Sequence, residues 1–238
     1  MKIAKICMLL LPVILFMGCQ EEYAFVTEPD EDKAFRSGDT LAGLISRVTL
    51  KDGSFDNLID RCSEISINFP YSVRIKNQTV DITSPDDIER IRQEFYPFNN
   101  SIIINFPVTV TYSDYSEAVL PNRGALQKIQ NEYNKNKEDD DIECIDFIYP
   151  IDISLYDTKY QKPESLRTGN DKELHCLFKN KNDFIIEIGY PVVVEIADGT
   201  TVNIHNNLEL VSEIINAIGS CDEHDEVDFG DDNKSEDE

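Results

Sequence analysis

The sequence predicts an α+β fold of four ββα repeat units, which form two mainly antiparallel sheets with helices packed on one face. Four runs alternate apolar and polar residues throughout: "ISINFPYSVRI", "IIINFPVTVTY", "IDFIYPIDISL" and "IIEIGYPVVVEI". Such alternation is typical of strands with one buried face. A shorter strand and a helical pattern follow each run, and the prolines recur 37, 43 and 41 residues apart, as expected for repeated supersecondary units.

The N-terminal segment, residues 1–18, has the pattern of a secretory signal peptide. Lys2 and Lys5 precede an apolar stretch at residues 6–17, which is too short to span a bilayer comfortably. Gly18-Cys19 ends this stretch and resembles the lipobox of bacterial lipoproteins. The resemblance implies that the chain is cut before Cys19 and that Cys19 carries the lipid anchor, so that the membrane is the first partner expected.

Residues 19–40 are expected to be a lipidated, disordered tether, because they are polar, acidic and without an apolar period. Gln20 differs from the aspartate of an inner-membrane retention signal. Glu21 and Glu22 look like the surface-export signals of some Gram-negative lipoproteins, although an ordinary solvated tether could carry the same residues. The location expected from this resemblance is the outer membrane, lipid-anchored, at the cell surface.

In each long strand an aromatic residue lies on the apolar face and the following proline on the opposite face. The prolines are Pro70, Pro107, Pro150 and Pro191. Because proline has no N–H for a ladder hydrogen bond, these positions are predicted to be edge strands or bulges. The aromatic rings are predicted to point inward and to be structural.

The short strands and helices are predicted from turn and capping signals. Asp198-Gly199 in "DGTTVNI" is a strong hairpin turn, and "SPDDIERIRQEF" begins with Ser84 as N-cap and Pro85 at the first helical position. Apolar spacing then assigns the buried faces of the later helices to Leu126, Ile129 and Tyr133, to Leu174 and Phe178, and to Leu208, Val211, Ile215 and Ile218.

These units are expected to pair into two domains. Residues 41–135 form repeat domain 1, 136–141 an acidic linker, 142–221 repeat domain 2, and 222–238 a disordered acidic tail. Each domain is expected to fold alone. The tandem aromatic-proline strands, the "DGTTV" hairpin and the acidic tail resemble a group of uncharacterised secreted bacterial lipoproteins. That motif concerns strand packing and implies no activity.

Four cysteines remain in the folded part: Cys62, Cys144, Cys176 and Cys221. In an oxidising compartment they can form disulfides, and three connectivities are open. Cys144 opens the second half of the chain and Cys221 closes it, so this pair is the first choice.

Composition argues against several functional classes. The formal charge of −24 repels nucleic acid and anionic lipid. The sequence has no phosphate loop, nucleophile elbow or metalloprotease motif, its three histidines are each expected at the surface, and we predict no catalytic residue, metal site or cofactor. The ten carboxylates of the tail could bind divalent cations weakly.

The function expected from these observations is that of a membrane-anchored envelope lipoprotein, a non-enzymatic binding, adhesion or structural module with an unidentified protein or glycan ligand. The alternative is a hydrolase or polysaccharide-handling accessory protein of the envelope. A histidine and an acid clustered in a concave pocket would favour that alternative.

Overall fold

The computed structural model describes residues 33–95, 102–136, 141–178 and 183–220. Its strands are β1 (Ala34–Phe35), β2 (Ile65–Ile67), β3 (Tyr71–Ile75), β4 (Gln78–Ile82), β5 (Ile103–Ile104), β6 (Val108–Tyr112), β7 (Glu117–Leu120), β8 (Ile145–Ile148), β9 (Ile151–Asp157), β10 (Lys162–Thr168), β11 (Phe184–Ile188), β12 (Val192–Ile196) and β13 (Thr201–Ile204). Its helices are α1 (Thr40–Val48), α2 (Asn57–Asp60), α3 (Pro85–Phe95), α4 (Arg123–Asn136), α5 (Asp171–Phe178) and α6 (Asn207–Ser220). A 3-10 turn, Ser54–Asp56, runs directly into α2.

The strands form small antiparallel sheets, which confirms the mixed α+β class. The sheet orders are β4-β3-β5, β2-β6-β7, β13-β12-β8 and β1-β11-β9-β10. The described residues therefore contain four sheets where the sequence predicted two. Each predicted long strand is divided between two of them.

The division falls at the prolines. The peptide bonds preceding Pro70, Pro107, Pro150 and Pro191 are all cis, and each proline lies between two strands that belong to different sheets. A proline has no N–H to continue a ladder, so the ladder is interrupted there. The prolines are exposed, and the aromatic residues before them are half-buried against the two cores.

The first half of the fold contains two sheets. Two chain segments, β2–β3 and β5–β6, each contribute one strand to both sheets. The strand pair β2–β3 runs antiparallel to β5–β6, with β2 beside β6 and β3 beside β5. The hairpin partners β4 and β7 lie on the outer sides. The buried core of this half is formed by Leu58, Ile59, Cys62, Ile65, Ile67, Tyr71, Val73, Ile75, Ile82, Ile88, Ile91, Ile104, Val108, Val110, Leu120 and Leu126.

The second half repeats this pairing, with β8 beside β12 and β9 beside β11. It also takes in the N-terminal segment. Strand β1 pairs with β11, and α1 buries Leu41, Ala42, Ile45 and Val48 in the same core as Ile153 and Ile186.

The sequence predictions for this N-terminal segment differ from the structure in two ways. Residues 34–35 form a strand within the predicted tether, because Phe35 is buried against Phe178 with ring centroids 6.0 Å apart. Residues 41–48 were predicted to belong to repeat domain 1, whereas α1 packs into the core of the second half.

The predicted buried faces of α4 and α5 are confirmed. The predicted face of α6 is correct only for Val211 and Ile218, which are partly buried against the core. Leu126, Leu174 and Phe178 are buried, as predicted. In α6 the buried residues are Leu210, Ile214 and Ala217, while Leu208 and Ile215 are 76% and 53% exposed. The helix is apolar on two sides, so its spacing alone does not select the side that faces the sheet.

Candidate functional site

The two halves meet at the C-terminal end of α1. The Lys51 N–H donates to the Ser113 carbonyl of the first half at 2.8 Å, and the Ile142 N–H donates to the Arg47 carbonyl at 3.2 Å. Nearby, the rings of Tyr115 and His175 lie 5.7 Å apart. Residues from α1, the β6–β7 turn, the start of the second half and α5 therefore converge at one place.

A cleft of about 460 Å³ opens at this junction. Its charged lining consists of five acids and one lysine: Asp52, Asp141, Glu143, Asp146, Asp171 and Lys51. Tyr115 forms part of the wall. This lining gives the cleft a strong negative potential, because low-dielectric walls concentrate the field of like charges.

Three of the acids lie close enough to share a cation. Asp52, Asp141 and Glu143 each place a carboxylate oxygen within 4.8 Å of the others. Carboxylate oxygens are the ligands that hard divalent cations prefer. The same geometry suits an ammonium or guanidinium group, so the cleft is chemically fitted to positive charge.

Two groups in the cleft have raised pKa values, with burial as the larger cause and neighbouring negative charge as the smaller one. Burial raises the pKa of Asp146, and the negative charges of Asp171 and Glu195 raise it further. Burial also raises the pKa of Tyr115, with Asp171 again contributing. A cation bound here would be favoured because it offsets this repulsion.

Behind the cleft, residues 51–60 hold a second set of polar side chains, and these are buried. Asp56 and Asp60 are both fully buried, and Asn57 is nearly so. Each of these side chains uses one polar atom for a hydrogen bond to residues 62–67. Asp56 Oδ2 accepts from the Ile67 N–H at 2.8 Å, Asp60 Oδ1 accepts from the Cys62 N–H at 3.1 Å, and Asn57 Nδ2 donates to Ser63 Oγ at 2.7 Å.

The remaining polar atom of each side chain is an oxygen, and it has no hydrogen-bond partner among the described residues. These atoms are Asp56 Oδ1, Asn57 Oδ1 and Asp60 Oδ2, and the buried hydroxyl of Tyr71 shares this property. A buried polar atom without a partner costs free energy, about 1–3 kcal/mol for a typical group. Three such atoms in one turn, with a fourth on Tyr71 of β3, are unusual because buried polar groups are nearly always hydrogen-bonded.

Burial dominates the electrostatics of this cluster. It raises the pKa of Asp56 to about 7, and it raises the pKa of Asp60 well above its usual range, with the charge of Asp56 adding to the effect. Lys51 lies beside them, with Nζ bonded to Ser66 Oγ. Burial lowers the pKa of Lys51, while Asp56, Asp52 and Asp60 oppose that shift.

The predicted anchor and tail lie outside the described residues, as do Cys19 and Cys221. Cys62 and Cys176 are free thiols. The pairing of Cys144 with Cys221 stays a prediction. In the part of the chain that the structure describes, no helix has the length and apolar character to cross a membrane.

Sequence reasoning misplaced one histidine and missed both acidic groups. His175 was expected at the surface but is buried, because α1 covers α5; His205 is exposed, as expected. The only signal for the buried cluster is the spacing of Asp56 and Asp60, four residues apart. Among 46 acids in the chain that spacing has no specificity.

Comparison with known proteins gives no relative: no family model, curated protein or solved structure matches this chain.

Proposed function

We propose that this protein is a lipid-anchored lipoprotein of the cell envelope, held in the outer membrane by Cys19, facing the medium, and acting as a non-enzymatic binding module. The support for the anchor is the signal-like segment that ends in Gly18-Cys19. Several acyl chains on one residue give lasting attachment, whereas one chain is marginal.

We propose further that its body consists of four copies of one ββα unit. Each copy has a strand, an aromatic residue, a cis proline, a second strand, a hairpin partner and a helix. In the third and fourth copies the aromatic is a tyrosine whose hydroxyl bonds the first residue of that copy's own helix. Tyr149 donates to Asp171 at 2.7 Å and Tyr190 donates to Asn207 at 2.8 Å.

The observation that carries the binding function is the acidic cleft between the two halves. Five carboxylates and one ammonium line it, so the ligand it favours is one that presents positive charge, such as a basic segment of a protein. The net charge of −24 would keep the body away from an anionic surface and leave the cleft open to cationic partners.

The binding proposal is tested by affinity capture. The lipid-free chain, residues 20–238, is immobilised and exposed to envelope extract. A cleft variant, Asp141→Asn with Glu143→Gln, should lose the captured partner. A matched control, Asp81→Asn with Glu164→Gln, removes the same charge from exposed strand positions away from the cleft and should retain it. Equal capture by both variants would contradict a role for the cleft.

The anchor is tested separately in cells. Cys19→Ser should release the protein from membranes and abolish labelling by a fatty-acid probe. Protease added to intact cells should trim the native protein while a periplasmic control survives. If Glu21 and Glu22 direct export, replacing both with alanine should protect the protein from protease and leave it membrane-bound. Unchanged labelling of Cys19→Ser would rule out this anchor.

A further inference from the structure

We propose that Asp56, Asn57 and Asp60, with Tyr71 beside them, form a buried calcium site within the first half of the fold. This site is separate from the acidic cleft and does not depend on the proposed binding function. It rests on four oxygen atoms that have no hydrogen-bond partner among the described residues.

The first step of the argument counts donors and acceptors. When both aspartates are ionised, their two carboxylates and the amide carbonyl offer three unpaired acceptor oxygens, and acceptors cannot hydrogen-bond one another. The other polar atoms of these side chains are already engaged by Ile67, Cys62 and Ser63. The hydroxyl of Tyr71 can supply one hydrogen at most. A set of buried acceptors with this shortage of donors is the composition expected for a cation site.

The second step is placement. Asp56 and Asp60 are four residues apart on a helical segment, and Asn57 and Asp60 are three apart, so the three side chains lie on one face. That face turns toward residues 62–67, because all three side chains bond this segment. Both carboxylates also act electrostatically on the Tyr71 hydroxyl.

The third step is the identity of the ion. The available ligands are all oxygen, which suits calcium and magnesium. Two carboxylates balance a double positive charge. Magnesium keeps several waters and demands octahedral geometry, whereas calcium accepts irregular cages of carboxylate and amide oxygens. Asp56, Asn57 and Asp60 are at most 6% exposed, so their burial favours the more easily dehydrated calcium ion.

Lys51 is the competing cation. Its Nζ bonds Ser66 Oγ and lies 5.4 Å from the centroid of the Phe55 ring, so the ammonium is held at the edge of the cluster. From there it repels a second cation. Lys51→Met should therefore increase calcium affinity, a direction opposite to that expected from any variant that removes a ligand.

The experiment uses the lipid-free chain, residues 20–238, after treatment with a chelator. Calcium binding is measured by calorimetry and by the shift in thermal midpoint. The native chain should bind calcium and gain thermal stability. Asp60→Asn and Asn57→Ala should bind at least about tenfold more weakly, because ligand number and charge set the affinity of oxygen sites. Weak binding by the acidic tail or by the cleft carboxylates is common to all these chains and cancels in the comparison.

Terbium luminescence gives a readout that does not depend on the carboxylate variants folding. The chain has no tryptophan, so a bound terbium ion can be sensitised only by nearby tyrosine or phenylalanine. Tyr71→Phe should remove most of the calcium-displaceable emission, whereas Tyr115→Phe, in the cleft, should not. The proposal is overturned if Tyr71→Phe keeps the native emission. Identical calcium affinity in Asp60→Asn and the native chain would also overturn it.

Discussion

His175 on α5 donates a hydrogen bond from Nδ1 to the carbonyl oxygen of Ser46 on α1, 3.1 Å away. The carbonyl can only accept, so this nitrogen carries the proton. The same ring contacts Tyr115 of the first half. One buried side chain thus connects α1, α5 and the other half of the fold.

Replacing His175 with alanine should lower the free energy of unfolding by about 1–3 kcal/mol, because it leaves a buried carbonyl without its partner and removes a ring contact. Chemical denaturation measures the change. His205→Ala is the matched control, since His205 is exposed and its loss should change stability by less than about 0.5 kcal/mol. Equal effects of the two substitutions would contradict the structural role of His175.

Gly53 should tolerate no side chain. A Cβ placed there would contact the Ser63 carbonyl oxygen and lie 2.6 Å from the Ile65 carbonyl oxygen, both of which are backbone atoms. Gly53→Ala should therefore destabilise the protein by about 1–3 kcal/mol or more.

Gly43→Ala is the opposite case. Gly43 lies within α1 with nothing near the added carbon, so alanine should stabilise the helix by about 0.5–1 kcal/mol. Thermal midpoints of the two variants should move in opposite directions. A shift of the same sign would be inconsistent with the close approach at Gly53.

The two apolar sides of α6 should respond differently to truncation. Leu210→Ala should cost about 2–5 kcal/mol, because Leu210 is fully buried in the second core. Leu208→Ala removes the same atoms from an exposed position and should cost less than about 0.5 kcal/mol. Urea unfolding of both variants measures the difference. A larger cost at Leu208 would mean that the face predicted from the sequence is the buried one.

The raised pKa of Asp56 predicts how stability depends on pH when divalent cations are chelated. The folded protein holds this proton up to about pH 7, whereas an unfolded aspartate releases it near 3.8. The folded state therefore binds more protons between these values, and the free energy of unfolding should fall as pH rises through that interval. Asp60 shifts in the same direction, and Lys51 and Asp52 are the other charged groups acting on the pair.

Asp56→Asn should make this pH dependence less steep, because the amide does not titrate and only the contribution of Asp60 remains. Denaturant titrations between pH 4 and pH 8 test it. Glu164→Gln, an exposed position on β10, serves as the control and should keep the native slope. Stability that rises across this interval in the native chain would contradict the predicted direction.

The second half should not fold as residues 142–221 alone, contrary to the expectation from the sequence. Its core includes Phe35 and the buried face of α1, and without them those contacts are lost and apolar surface is exposed. A fragment that joins residues 33–50 to 142–221 should show a cooperative thermal transition, which the shorter fragment should lack. Cooperative unfolding of the shorter fragment would show that β1 and α1 are dispensable.

The sequence predicted local structure well and long-range arrangement poorly. Alternation identified the strands because one face must be buried, and Val73, Val110, Ile153 and Val194 are all buried as expected. The pairing of β3 with β5 could not be predicted, because alternation specifies a face and does not specify a partner strand. Asp56 and Asp60 could not be distinguished from the other acids, since their burial comes from tertiary packing of this segment against β2, α3 and β5.

The core of the second half is built from two separate parts of the chain, residues 35–48 and residues 142–217, and the first half lies between them in sequence. The first core is complete between Leu58 and Leu126, whereas the second requires both Phe35 and Ala217. During synthesis the first half can therefore close as soon as its last helix emerges, while α1 keeps its apolar face unburied until the C-terminal helix has been made. Of the described elements, β1 and α1 are thus made first and are among the last to be packed.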